Sequence, residues 1–361
     1  MKNPENSTIT LYLCGKKHKL IILFSLLVLL FMTSIYALNS GSYHLSFDRI
    51  CTILYQAMVN PGLLEGTLSE KIVIIDFRLP RALLAIFTGI SLAIAGCVMQ
   101  ALLRNPLVSP FTLGLSSAAS FGAAIAIVFG GMFMTFIPEE FQNGVIILCA
   151  FLLGWLSVLI IYAISKMKGS SSATLILAGV VIGYIFTAGV MILKYQTNDE
   201  KLREITLWLM GGMWGANWGA IIIIAPITLL CLLYLESLAW DLNSLSAGDD
   251  IAKNLGVNVN RLRIKGLFIS TLAASACLAF TGIIGFIGLM GPHIGRMLIG
   301  NDNRYLIPCS ALLGALILLI SDTAARTIMD PVEIPVGVIM YVIGGIFFLF
   351  LILRGKHRMI T

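Results

Sequence analysis

Asp249 and Asp250 in tandem, the arginines Arg78, Arg81 and Arg326, and seven cysteines are the side chains of this sequence with the most chemistry to offer. The cysteines form no CxxC or other metal-ligand spacing. Cys97, Cys149, Cys231 and Cys277 lie inside apolar runs, which reads as small packing residues rather than as a disulfide framework or a zinc site. The histidines His18, His44, His293 and His357 are too scattered for a local ligand cluster, so neither a metal nor a cofactor is expected. No GxxxxGK[ST] phosphate loop, HExxH or GxSxG is present, which leaves no constellation for ATP hydrolysis or for a membrane hydrolase. The remaining chemistry is recognition by charge: carboxylates in the first turn of a helix, and guanidinium forks that hold a carboxylate bidentately.

The elements that must position these groups are membrane spans. Hydrophobic residues make up 58% and charged residues 12% of the chain, where a soluble protein carries about 25% charged. The chain reads as a single polytopic domain over residues 1–361, an all-α integral membrane protein. Residues 1–19 are polar and end in Lys16, Lys17, His18 and Lys19, followed by an apolar run from Leu20 to Leu38. That run exceeds the core of a signal peptide, about 7 to 15 residues, so a retained first helix with a cytoplasmic N-terminus is expected. Residues 39–77 form an external segment. Further apolar runs lie at 79–103, 110–134, 142–165, 173–193, 219–239, 266–283, 285–299, 306–325 and 335–353, which gives ten transmembrane helices and both termini in the cytoplasm of a cell-membrane protein. Gly282 to Gly285 is the weakest boundary, because 266–299 is also readable as one long broken helix. Lysine and arginine fall about two to one on the inferred cytoplasmic side, the direction of the positive-inside rule.

The charge bias puts the polar insert Trp240 to Lys265, between spans six and seven, in the cytoplasm. Within it Gly248, Asp249 and Asp250 open a short amphipathic helix whose apolar residues are Ile251, Ala252, Leu255 and Val257, with Gly256 near its stop. An apolar face outside the bilayer calls for a soluble partner; a merely solvated loop is the competing reading. Arg78 and Arg81 at the outer end of span two, and Arg326 at the outer end of span nine, oppose the inside rule. They read either as interfacial snorkelling or ion pairing with Asp76 or Asp322, or as sockets for carboxylates of an external protein. Glu236, Arg296, Asp322 and Arg326 fall near helix ends, whereas ion-coupled carriers bury ionisable groups near the midplane. The energy source is therefore expected on a separate subunit. Arg104-Asn105-Pro106 reads as a helix break, His293 as a packed residue, and Ala178, Gly179, Gly183, Met340, Gly344 and Gly345 as small or soft residues that either line a pathway or pack.

Three stretches carry a resemblance: Arg78-Leu-Pro-Arg81 leading through Gly89 to Ala124, then GDDIAKNLGV from Gly248 to Val257, then Gly282 to Thr327 running into Glu333 to Val338. Together they resemble the permease subunits of ABC importers for iron-siderophore complexes, cobalamin and haem, over nearly the whole chain. The resemblance implies ten helices per subunit, a second permease subunit (identical or paralogous), two cytoplasmic ATP-binding subunits and an extracytoplasmic substrate-binding protein. It implies that Gly248, Asp249, Asp250, Ala252, Leu255, Gly256 and Val257 form the coupling segment for the ATPase, within the cytoplasmic stretch 240–265. It further implies that Arg78, Arg81 and Arg326 dock the binding protein, and that Ser170, Ser171 and Ser172 narrow the inner mouth of the pathway. The chain itself is then not an enzyme, and it has lipid rather than nucleic acid around it. Cobalamin, haem or an oxyanion is the alternative cargo to an iron chelate, and an ion-coupled secondary carrier is the rival mechanism.

Overall fold

The computed structural model describes residues 4–41, 46–59, 68–133, 139–167 and 172–354, and among these every regular element is helical. In chain order they are α1 (Pro4–Asn39), α2 (Phe47–Val59), α3 (Leu68–Lys71), a π-helical stretch (Ile72–Arg78), α4 (Leu79–Leu103), α5 (Leu115–Phe133), α6 (Glu139–Met167) and α7 (Ser172–Gln196). There follow α8 (Asp199–Met210), α9 (Trp218–Ser237), α10 (Ala239–Ser246), α11 (Asp249–Asn254), α12 (Val259–Thr281), α13 (Ile287–Ile299), α14 (Asn303–Thr327) and α15 (Val336–Arg354). Among the described residues, eight helices are long and apolar enough to cross a membrane: α1, the π-helical stretch continued by α4, α6, α7, α9, α12, α14 and α15.

Two of the expected spans are shorter than the apolar runs that announced them. The run 110–134 becomes helical only at Leu115, because residues before it turn: Gly114 has φ +72° and Ser109 to Thr112 close on each other through side-chain and backbone hydrogen bonds. The run 285–299 becomes the 13-residue α13, about 20 Å long at 1.5 Å per residue, against a hydrocarbon core of about 30 Å. The boundary before it is real. Gly282 (φ +67°) ends α12 and Phe286 (φ +66°) starts α13, so 266–299 is two helices and not one broken one.

The core is built around α4, and its residues 91–100 are buried without exception. A helix enclosed on all sides needs short side chains where neighbours cross, and the sequence supplies Gly89, Ser91, Ala93, Ala95, Gly96 and Cys97. At Gly96 the backbone of α13 comes so close that a Cβ would overlap the Gly288 carbonyl oxygen and lie 2.7 Å from the Gly288 Cα. The same closeness holds between Gly89 and Gly314 of α14. Several polar groups inside this packing are matched to one another, although the Thr88 hydroxyl is buried without a partner among the described residues. The Ser91 and Thr228 hydroxyls are 2.8 Å apart between α4 and α9, and Gln100 Nε2 donates to the Gly288 carbonyl at 3.1 Å while its Oε1 accepts from Arg296.

Small residues elsewhere resolve the same way. Gly179 packs on the Leu113 backbone, Gly183 on Gly114, and Gly344 on the Phe286 ring, while Ala178 and Met340 are buried. Of the six pathway-or-packing positions only Gly345 stands in open space. His293 is packed as expected, edge-on to the Phe347 and Phe348 rings with centroids at 6.1 Å from each.

Candidate functional site

The polar insert between α9 and α12 folds into two short helices, and their local chemistry explains why they hold a shape. α10 buries Leu242 and Leu245 and fixes itself to the start of α14 through Asn243. The Asn243 amide nitrogen donates to Asp302 Oδ1 at 2.8 Å, and its oxygen accepts from the Asn303 backbone N–H at 2.8 Å. Arg304 lies over the Trp240 ring, 4.1 Å from its centroid. Gly248 (φ +129°) then reverses the chain into α11, and Gly256 (φ +86°) reverses it out.

Asp302, the N-cap of α14, is the electrostatic centre of that anchor. The Arg304 guanidinium chiefly, with Asn243 and the Arg304 backbone N–H, pulls its carboxyl down to about 2, well below the usual carboxylate value of about 3.9. A carboxyl depressed on folding stabilises the native state fully above its unfolded value, and the contribution is lost as pH falls from there through about 2. Asp302→Ala is therefore expected to lower stability by on the order of 1 to 2 kcal/mol at neutral pH. The difference from the parent protein should close as pH is lowered from 5 towards 2, read from thermal unfolding in detergent.

α11 is held on one side and free on the other. Asp249 at its first position accepts two hydrogen bonds from Arg263 Nη2, at 3.1 and 2.9 Å, and lies 3.3 Å from Arg104 Nη2. One carboxylate thereby joins α11 to the end of α4 and the start of α12. Ala252 is fully buried and Val257 half-buried beneath it. Ile251 and Leu255 point outward at 50% and 66% exposure, beside Asp250, which pairs with Lys253 at 3.2 Å. The apolar residues read from the sequence as one docking face thus divide: Ala252 and Val257 attach the helix to its own chain, while Ile251 and Leu255 are open to a partner. Asp249 belongs to the attachment. Arg104 and Arg263 are the residues that sequence reasoning missed. Arg104 reads as a helix break, and it is one, capping α4 in a left-handed conformation (φ 49°), but the same turn aims its side chain at Asp249.

At the opposite end of α4 the three arginines meet. Arg81 Nε and Nη2 hold the carboxylate of Asp322 at 3.0 to 3.2 Å, and its Nη1 holds Glu333 at 2.8 Å. Arg326 Nε lies 3.4 Å from Asp322, and its Nη2 donates to the Ala37 carbonyl at 3.2 Å. Arg78 donates to the Leu38 carbonyl at 2.8 Å and is 7% exposed. Asp322 is fully buried, and of the two expected acidic partners it, not Asp76, takes Arg81 and Arg326. A cleft of about 400 Å³ opens here, lined by Arg78, Arg81, Arg326, Asp330, Glu333 and Trp214. Glu333 is the one partner of Arg81 with substantial exposure, its side chain 39% accessible against 0% for Asp322. Ser170 and Ser171 lie outside the described residues, and Ser172 opens α7 with its side chain likewise outside the description.

Comparison with known proteins places this architecture. The model of the FecCD transport family matches residues 21–354. The hemin transport system permease protein HmuU of Yersinia pestis is 37% identical over 95% of this chain and 98% of its own. The Fe(3+)-citrate import system permease protein YfmE of Bacillus subtilis is 36% identical over 93% and 96%, and the molybdate import system permease protein MolB of Haemophilus influenzae is 36% identical over the same shares. A solved metal-chelate type ABC transporter in an inward-facing conformation superposes with a TM-score of 0.80 at 34% identity, over 92% of this chain and 99% of that one. A family match spanning nearly every described helix, with relatives aligned end to end, shows that the chain belongs to the FecCD transport family of ABC transporter permease subunits.

Proposed function

We propose that the chain forms the translocation pathway of an ATP-driven importer for a metal chelate, an iron-siderophore complex or a related iron chelate. Ten crossings are read as the eight long helices plus α5 and α13, with both termini and the polar insert in the cytoplasm. In this reading α11 is the coupling helix. Two ATP-binding subunits dock on Ile251 and Leu255 and move α4 and α12 through Asp249. A second permease subunit, a copy or a paralogue, completes the pathway, which the loop containing Ser170, Ser171 and Ser172 narrows at its inner mouth. An extracytoplasmic binding protein docks at the arginine cluster, where one of its carboxylates would replace Glu333 on Arg81 while Asp322 keeps the guanidinium oriented. The relatives named for hemin and molybdate support haem and an oxyanion as alternative cargoes, and cobalamin is a third alternative that rests on the family resemblance alone.

The observation that carries the reading is a six-residue helix, held to its own chain by Asp249 and Ala252, that still exposes Ile251 and Leu255. Two large apolar side chains on so small a rigid platform fit a protein cleft better than water. Leu255→Glu is the direct test, in membranes that also contain the cognate ATP-binding subunit. The amount of permease should be unchanged, because Leu255 supports no internal packing. Co-purified ATP-binding subunit should fall at least tenfold and ATP-dependent uptake with it, whereas undiminished co-purification would rule out α11 as the contact. Uptake that survives ATP depletion but stops when the proton or sodium gradient is collapsed would support the secondary carrier instead.

A further inference from the structure

Four helices end together beside the Asp249 clamp: α4 and α6 finish there, and α7 and α12 begin. Between them is a crevice of about 140 Å³. Its walls are apolar, with Leu102, Leu103 and Leu175 among them, and its polar lining combines the two cations Lys166 and Arg263 with the neutral groups of Tyr162, Ser165 and Asn260. Lys166, in the last turn of α6, is exposed and makes no ion pair among the described residues. Arg263 gives Nη2 to Asp249, but its Nε is buried with no hydrogen-bond partner. Ser165 is 1% exposed, and its hydroxyl is likewise buried without a partner. No carboxylate lines the crevice.

Ammonium and guanidinium groups have no acceptor capacity, so a ligand that satisfies them must bring acceptor oxygens. The charge balance adds a sign. Arg104 and Arg263 share the single carboxylate of Asp249, and Lys166 in the lining pairs with no carboxylate among the described residues, so across these four groups positive charge exceeds negative by two. The apolar walls require hydrocarbon on the same molecule. At the ends of membrane-crossing helices, the molecule with both properties that is always at hand is a phospholipid of the bilayer, and basic pockets between such helices hold anionic headgroups. We propose that this crevice seats an anionic phospholipid, with its phosphate on Lys166 and Arg263 and the upper part of an acyl chain against Leu102, Leu103 and Leu175. The seat is independent of the transport reading, because occupancy is measured without transport.

The test is lipid retention by the full chain, reconstituted in equal phosphatidylcholine and phosphatidylglycerol, extracted in mild detergent and analysed by native mass spectrometry. The unaltered protein should keep phosphatidylglycerol over phosphatidylcholine. Lys166→Gln should reduce that preference about tenfold, and Ser165→Ala should reduce it by a smaller factor. Arg261→Gln removes a positive charge from the same end of α12 without touching the crevice, and should leave the preference intact. An equal loss in Arg261→Gln and Lys166→Gln would make the effect general surface charge and overturn the proposal, as would equal retention of both lipids by the parent. Displacement of the bound lipid by soluble glycerophosphoglycerol at matched concentration would show a site for a free phosphodiester and would also overturn it.

Discussion

Alanine at Gly96 is expected to leave almost no correctly folded protein. The new methyl group would lie 2.6 Å from the Gly288 carbonyl carbon and 2.7 Å from its Cα, and would overlap the oxygen, so all three obstructions are backbone. A crowded side chain can change rotamer; a helix backbone must move as a unit. Ordinary overpacking costs about 1–3 kcal/mol, and separating α4 from α13 adds the loss of the hydrogen bond from Gln100 to the Gly288 carbonyl and of the Arg296 contact that Gln100 supports. The expected penalty is ~3 kcal/mol or more, a large part of the stability of a typical domain. Gly345→Ala is the matched control, because no atom lies within 4 Å of its new Cβ. Monodisperse yield after detergent extraction and the midpoint of thermal unfolding should collapse for the first variant and hold for the second. Equal behaviour would mean that α4 and α13 are not in this close contact in the membrane.

The outline of this architecture is legible in the sequence because hydropathy reports burial in lipid directly, and glycine reports where a helix breaks. The pause at Gly282 to Gly285 is an example: the residues that weaken the apolar run are those that end α12 and begin α13. Hydropathy fails where apolar residues are not helical, as from Pro110 to Gly114, where the chain turns while its polarity stays low. The polar insert shows a second limit. The spacing of Ile251, Ala252, Leu255 and Val257 predicts apolar residues on a helix, but which of them face the chain and which face outward depends on α10 and α12, elements that the spacing does not contain. Charges are the hardest to read. Arg81 and Asp322 are 241 positions apart, and each taken alone is a charge at the edge of an apolar run. The structure shows that both ends of α4 carry such long-range ion pairs, Arg81 with Asp322 at one and Arg104 with Asp249 at the other. A single buried, tightly packed helix therefore joins the arginine cleft to the segment that carries α11. Displacement of either end has to be passed along it or absorbed by breaking one of these pairs.

Removing the buried member of the outer pair is expected to have the other large effect. Asp322→Ala leaves Arg81 with Glu333 alone, and strips Arg326, whose side chain is 8% accessible, of its carboxylate. Breaking a buried pair on one side costs about 3–5 kcal/mol, because the charge left behind has lost its compensation and cannot recover water. Replacing the partners together by apolar residues of similar volume removes that uncompensated charge. Asp322→Leu combined with Arg326→Leu should therefore lose less stability than Asp322→Ala alone, even though Arg81 still keeps only Glu333. The loss in Asp322→Ala should also be insensitive to salt between low and physiological ionic strength, since screening acts on solvent-exposed charges and Asp322 is fully buried. Thermal unfolding of the three proteins at two salt concentrations separates the alternatives. If Asp322→Ala is as stable as the parent, or if its penalty vanishes with added salt, the cluster is a solvated surface pair. The arginines would then be held by the bilayer interface rather than by the end of α14.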